Sequence, residues 1–396
     1  MNEELKIEGV ELEKAIELLT AQVNQIDEVE KISLLESVGR VTAENYFAVF
    51  DNPPFNRSPL DGYAVNSADT PNNFKVVGEE CAGDFWRGNL NRGEALRIMT
   101  GAAIPNGADC VIRQEDVKVD GENVFVPKKL QHHENFCFAG EDVKRGNLIV
   151  ASETKLTAAH IAILASQGFS TVKVYRRPKI AVASTGDELL NLDEKLSDGK
   201  IYNSNLFLIS ARLIELGFTP KIFGNLPDDV EVAAKKISAE NFDLLITTGG
   251  VSVGTKDIMH DVVKILGEKI FWRVRIKPGA PIIGWKSEKF LGVALSGNPF
   301  AAFATFELIA RPIIAKISRR KDILYKRGRA VMADNFPKES RGRRFIRAKF
   351  SDGKIYLPEN HQSGNLFSAV NCNCLVDIPA GSGALEVGAE VEVVML

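Results

Sequence analysis

Five cysteines in 396 residues are too few and too scattered for a disulfide framework. The number is odd, and Cys81, Cys110 and Cys137 stand far apart, so a reducing compartment, the cytoplasm, is expected. Cys372 and Cys374 form a C-x-C pair, but no second Cys or His cluster supplies the other half of a zinc site. No uninterrupted apolar run approaches the roughly 18 residues of a membrane helix, so no membrane span is expected. The N-terminus mixes acids with aliphatics at helical spacing, unlike the basic-then-apolar order of a signal peptide. Charge of one sign is also missing. Forty-nine Lys plus Arg against 52 Asp plus Glu leave −3, so nothing draws the chain toward nucleic acid or an anionic membrane. Neither GxGxxG nor GxxxxGK[ST] occurs, which argues against a dinucleotide fold or a P-loop ATPase.

What is present is enough apolar material for several cores, at 45% hydrophobic and 26% charged residues. The length predicts two to four domains. Residues 9 to about 24 read as an amphipathic helix with Val10, Ala15, Ile16, Leu18 and Leu19 on one face. From about 54 to 139 short apolar runs alternate with Gly, Asn, Asp and Pro turns, an all-β texture. Helical periodicity returns at LTAAHIAILASQG, with Gly168 as its stop. The β module (54–139) is therefore expected to interrupt a discontinuous helical domain (1–53 and 140–177). From 178 to 321 the buried strands KIAVAST, DLLITTGG and FLGVALSG alternate with amphipathic helices, predicting a parallel sheet covered on both faces. Short strands from 322 to 396 predict a closing β-barrel or sandwich. The basic stretch KESRGRRFIRAK (338–349) reads as a solvated face or strand edge.

In an open α/β sheet the ligand lies beyond the carboxyl ends of the strands. Here those ends carry Ser184-Thr185-Gly186-Asp187-Glu188, Thr247 to Gly254 (with Gly249, Gly250 and Ser252), and Ser296-Gly297-Asn298-Pro299. Glycines let a ligand approach the backbone, and hydroxyls and helix N-terminal N–H groups suit an anion. Acids crowd the same loops: Asp187, Glu188, Asp228, Asp229 and Asp257. Carboxylates beside a phosphate-binding loop fit a hard divalent cation between acid and ligand. Helix capping explains Asp187, Asp228 and Asp257 equally well, and both readings stay open. Arg273, Arg275 and Lys277 alternate along FWRVRIKPGAP, so an extended strand would put three cations on one face.

Several longer motifs occur in order: PPFNRSPLDGYAV (53–65), MTGAAIPNGADCVIRQED (99–116), GED (140–142), STGDEL (184–189), TTGGVSVGTKD (247–257), IKPGAP (276–281) and SGNP (296–299). Together they resemble the molybdopterin molybdenumtransferase family, the MoeA and gephyrin E-domain proteins. The resemblance runs end to end. It implies a four-part subunit in a homodimer and a reaction in which adenylylated molybdopterin and molybdate give molybdenum cofactor and AMP, with Mg²⁺. Carried over by position, it marks Asp61, Thr100, Asp142, Glu188, Asp228, Asp257 and Lys277 as catalytic. It marks Asp187, Gly249, Gly250, Ser252, Arg273, Ser296, Gly297, Asn298, Pro299, Arg347 and Ser363 as substrate-binding, and Asp187, Glu188 and Asp228 as Mg²⁺ ligands. A molybdopterin adenylyltransferase is a further expected partner. Two departures stand out: the family's KPGKP reads KPGAP here, with Ala280 for lysine, and its PGNP reads SGNP, with Ser296 for proline. An adenylyltransferase activity, a non-catalytic gephyrin-like scaffold, and a paralogue using tungstate are the alternatives.

Overall fold

The computed structural model describes residues 9–254 and 257–396. The chain divides into two compact units, Glu30–Val174 and the remainder.

In the larger unit six strands form one sheet: β1 (Ile180–Thr185), β2 (Lys221–Leu226), β3 (Leu244–Thr248), β4 (Gly267–Trp272), β5 (Ile283–Ser287) and β6 (Leu291–Leu295). Their order is β2-β1-β3-β6-β5-β4. The first four are parallel, and β5 and β4 add an antiparallel edge. The sheet is therefore mixed where the sequence reading expected a parallel one. The antiparallel strands GEKIFW and IGWKS flank the segment FWRVRIKPGAP and carry little apolar alternation.

Strand alternation decides which helix covers which face. Ile180, Val182, Leu244, Ile246 and Val293 pack with α1 (Leu12–Ala21), α2 (Ser204–Glu215) and the long helical run from Pro299 to Ile317. Ala181, Ala183, Leu245 and Ala294 pack with α3 (Val230–Ser238) and α4 (Met259–Leu266). Helix α1 buries Leu12, Ala15 and Leu19 in the α/β core. The sequence texture grouped it instead with residues up to 53. A closed five-stranded barrel follows, in the order Arg327–Met332, Lys354–Tyr356, Arg344–Ser351, Cys374–Ile378, Glu390–Met395, which completes the expected C-terminal β module. Cys372 and Cys374 are free thiols, with no bond between them.

The smaller unit contains a six-stranded sheet spanning Gly62–Val65 to Asn123–Phe125. Around it, Tyr46, Val150, Leu156, Leu164, Val172 and Val174 form a separate core that joins the segment before the β insertion to the segment after it. The helix there runs Ala158–Ser166, and Gly168 follows at φ +78°, as its stop signal required. Among the described residues no helix is long and apolar enough to cross a membrane.

Candidate functional site

Strand register sets the site. Ser184 pairs with Thr248, Thr248 with Leu295 and Thr185 with Leu226, so four loops leave the sheet at one edge. Beneath them buried hydroxyls are cross-linked. The Ser184 hydroxyl donates to Asn203 Oδ1 at 2.9 Å and lies 2.9 Å from Thr248 Oγ1. Asn203 Oδ1 also accepts the Leu206 N–H at 3.2 Å, capping α2. The Asn205 side-chain amide donates to the Gly297 carbonyl at 2.7 Å and ties α2 to the SGNP loop. Asn203 and Asn205 were missed in the sequence. The signal that could have found them is the N-cap pattern in IYNSN just before a helical run.

These loops enclose a mouth of about 690 Å³ lined by Glu188, Asp228, Gly249, Gly250, Ser252 and Asp257, with Ser296 to Pro299 closing it. Gly249 has φ +90°, and a Cβ there would stand 2.7 Å from the Thr185 carbonyl oxygen; Gly250 has φ +67° with the same distance to Thr185 Oγ1. Only glycine fits both the conformation and the space, which keeps the backbone open to a ligand.

The acids divide by partner. Asp257 Oδ2 accepts the Gly254 N–H at 2.6 Å, so capping of its own loop is real. Asp228 Oδ2 accepts from the Asp187 N–H at 3.2 Å. Asp187 is exposed and does not line the mouth, whereas Glu188 and Asp228 do. Among the described residues no group of three metal-ligating side chains assembles.

A second cavity of about 590 Å³ shares Pro281, Ser296 and Asn298 with the mouth. Its chemistry is opposite. Lys277, Lys338, Arg344, His361 and Ser363 line it, and Ala280 sits among them. Burial, then the charges of Arg347, Lys338 and Arg344, push the His361 imidazole down to about 4, so the ring is neutral near pH 7.

The expected three-cation strand is corrected here. The FWRVRIK segment is not one strand: β4 ends at Trp272 and Arg273 takes φ +71°, so the chain turns. Arg273, Arg275 and Lys277 are all exposed, but Arg273 lies over the Trp272 ring at 5.1 Å, Arg275 pairs with Glu11, and only Lys277 reaches this cavity. Arg347 lines neither cavity. It is 1% exposed, stacks 3.8 Å from the Phe300 ring and donates to the carbonyls of Gln362 and Asn365. It therefore holds the loop that carries Ser363, whose carbonyl accepts the Phe300 N–H at 3.0 Å. Nor is the basic 338–349 stretch merely solvated, since Lys338 and Arg344 face the cavity and Arg343 pairs with Glu13 and Asp377.

In the smaller unit Asp61 Oδ1 accepts both the backbone N–H and the hydroxyl of Thr100 at 2.7 Å. These bonds, the hydroxyl's first, hold the Asp61 carboxyl below the usual carboxylate range. Asp142 accepts from the Asn52 side chain at 2.8 Å. Backbone bonds from Asn52, Asn56, Arg57 and Ser58 reach both 101–104 and 137–143, so the three motifs of this unit form one rim.

Both the doubly covered sheet with its glycine-lined mouth and the barrel behind it have counterparts among known proteins. Residues 181–316 match the family description "probable molybdopterin binding domain", residues 10–168 the MoeA N-terminal region (domain I and II), and residues 329–396 the MoeA C-terminal region (domain IV). The class is thus a molybdopterin-binding α/β domain with flanking domains. Proteins named molybdopterin molybdenumtransferase from Staphylococcus aureus and Staphylococcus epidermidis are 33% identical, over 98% of this chain and 95% of theirs. A solved molybdopterin biosynthesis MoeA protein of Pyrococcus horikoshii superposes with TM-score 0.84 at 30% identity, covering 98% of this chain and 99% of that one. The chain belongs to the MoeA family, the molybdopterin molybdenumtransferases.

Proposed function

We propose that this chain inserts molybdenum into molybdopterin, taking adenylylated molybdopterin and molybdate and releasing molybdenum cofactor and AMP. One observation carries this reading: an acid-and-glycine mouth and a cation-lined cavity share the wall Pro281–Ser296–Asn298. A bulky phosphorylated ligand and a small oxyanion would meet there. The open backbone at Gly249 and Gly250 accepts the phosphate groups, while Lys277 and its neighbours offset the repulsion between an anionic dithiolene and an incoming dianion. No protein nucleophile is needed. Lys277 and Ser363 orient the oxyanion, and Asn205 and Ser296 keep the shared wall in place.

The acids fit Mg²⁺ held through one or two carboxylates and the ligand's own phosphate oxygens, with Glu188 and Asp228 as its holders. When bound, such an ion supplies charge against the phosphoanhydride oxygens. The four-part domain division is part of the same proposal, with helix α1 counted to the α/β core on which it packs, as is a reducing, cytoplasmic setting. We also propose a homodimer, in which the Asp61–Thr100–Asp142 rim of one copy serves the mouth of the other. The molybdopterin adenylyltransferase is the partner whose reaction makes the substrate.

The test is a single-turnover assay with purified protein, adenylylated molybdopterin and Mg²⁺, following AMP. Release of one AMP per pterin only when molybdate is added is the expected outcome. Release independent of any oxyanion would contradict insertion.

A further inference from the structure

Ala280, where the resemblance implies a second lysine, lines the same cavity as Lys277, Lys338 and Arg344. Lys277 and Arg344 are bridge partners: the Lys277 N–H donates to the Arg343 carbonyl at 2.9 Å and the Phe345 N–H to the Lys277 carbonyl at 2.7 Å. Partners in a bridge project to the same side. The flanking Arg343 points elsewhere and is neutralised by Asp377 and Glu13. Among the described residues neither Lys277, Lys338 nor Arg344 makes an ion pair, although all three line the cavity that contains Ala280. Like charges directly opposite one another are destabilising unless an anion lies between them.

Two further details favour an anion. The Arg344 guanidinium is positioned over the Phe336 ring at 5.5 Å and by a bond from one terminal nitrogen to the Glu339 carbonyl at 3.3 Å. Its Nε is buried with no hydrogen-bond partner among the described residues, and so is Nδ1 of His361 in the same cavity. A guanidinium edge with an unused donor suits a tetrahedral oxyanion better than a lysine does, because two N–H groups can engage two oxygens.

We propose that Arg344, presented by the barrel, takes over oxyanion recognition from the lysine that is absent at Ala280, and so is the specificity-determining cation of this chain. The inference rests on reading this cavity as the oxyanion site. Calorimetric titration of molybdate into the full-length protein tests it, on Arg344→Gln, Arg344→Lys, Lys277→Gln and the double variant Arg344→Gln/Ala280→Lys. Arg344→Gln should weaken molybdate binding by roughly tenfold to a hundredfold, the loss of one charge-assisted bidentate contact. Arg344→Lys should lose less, and the double variant should regain at least part of the affinity. Melting temperatures check folding, and Arg344→Lys keeps the charge should the glutamine variant fold poorly. If Lys277→Gln weakens binding while Arg344→Gln and Arg344→Lys leave it unchanged, the role of Arg344 is wrong and the cavity reading survives. If neither position matters, the oxyanion site itself is misplaced.

Discussion

The mouth and the cavity behind it share a wall and have opposite construction. The mouth is backbone and carboxylate, made by loops leaving adjacent strands of one sheet. The cavity is cationic and is made where a loop of the α/β domain pairs with the edge of a barrel strand more than sixty residues later. A ligand rich in phosphate needs N–H donors and bridging charge that glycine loops and acids provide, whereas a small dianion needs mobile, concentrated positive charge. Placing the two side by side would let one protein hold two mutually repelling reactants without mixing their binding groups, as the proposed function requires.

That separation can be broken from either side. The largest effect is expected from Gly249→Val, because a side chain at φ +90° would collide with the Thr185 carbonyl. Turnover and pterin binding should fall by a hundredfold or more, roughly the effect of displacing a ligand-contacting loop by an ångström. Lys277→Gln should raise the molybdate concentration for half-maximal rate by roughly tenfold to a hundredfold and leave pterin binding nearly unchanged. Asp228→Asn and Asp257→Asn sharpen the comparison within the mouth. Asparagine still accepts the backbone N–H bonds made by both carboxylates, so melting temperature should hardly move. Turnover should nonetheless drop about tenfold or more, because the charge is gone. A lowered melting temperature with full turnover would make these residues caps alone.

The smallest effect concerns pH. His361 is held neutral in the fold down to about 4, while the unfolded ring protonates near 6.5. Between those values the unfolded state binds more protons, so stability rises with pH and is lost as pH falls from 6.5 toward 4. Chemical denaturation of His361→Gln at pH 7 and pH 4.5 should show a smaller loss than the parent.

The mouth was legible in the sequence because its determinants are local. A buried strand followed by a glycine-rich loop is a short pattern, and STGDE, TTGGVSVG and SGNP all fall where the sheet edge puts them. The cavity was only half legible. Lys277 and Ser363, which the resemblance marks, line it, but Arg344 lies in a basic stretch that reads as solvated surface. Its side depends on pairing with Lys277, a contact no local pattern encodes. The surroundings of Arg347 were hidden for the same reason: nothing in FIR shows that its guanidinium is buried against Phe300. The three-cation strand failed at Arg273, where the backbone turns after β4. Helix α1 was found as a helix, with the face that packs, but not with the partner it packs on.

The central claim is that the two cavities bind different ligands. Molybdate affinity measured by calorimetry in Gly249→Val, set beside pterin-adenylate affinity in Lys277→Gln, tests it most directly. Each affinity should stay within about twofold of the parent while the other ligand's binding collapses. Loss of molybdate binding in Gly249→Val together with loss of pterin binding in Lys277→Gln would show a single undivided site and contradict the account.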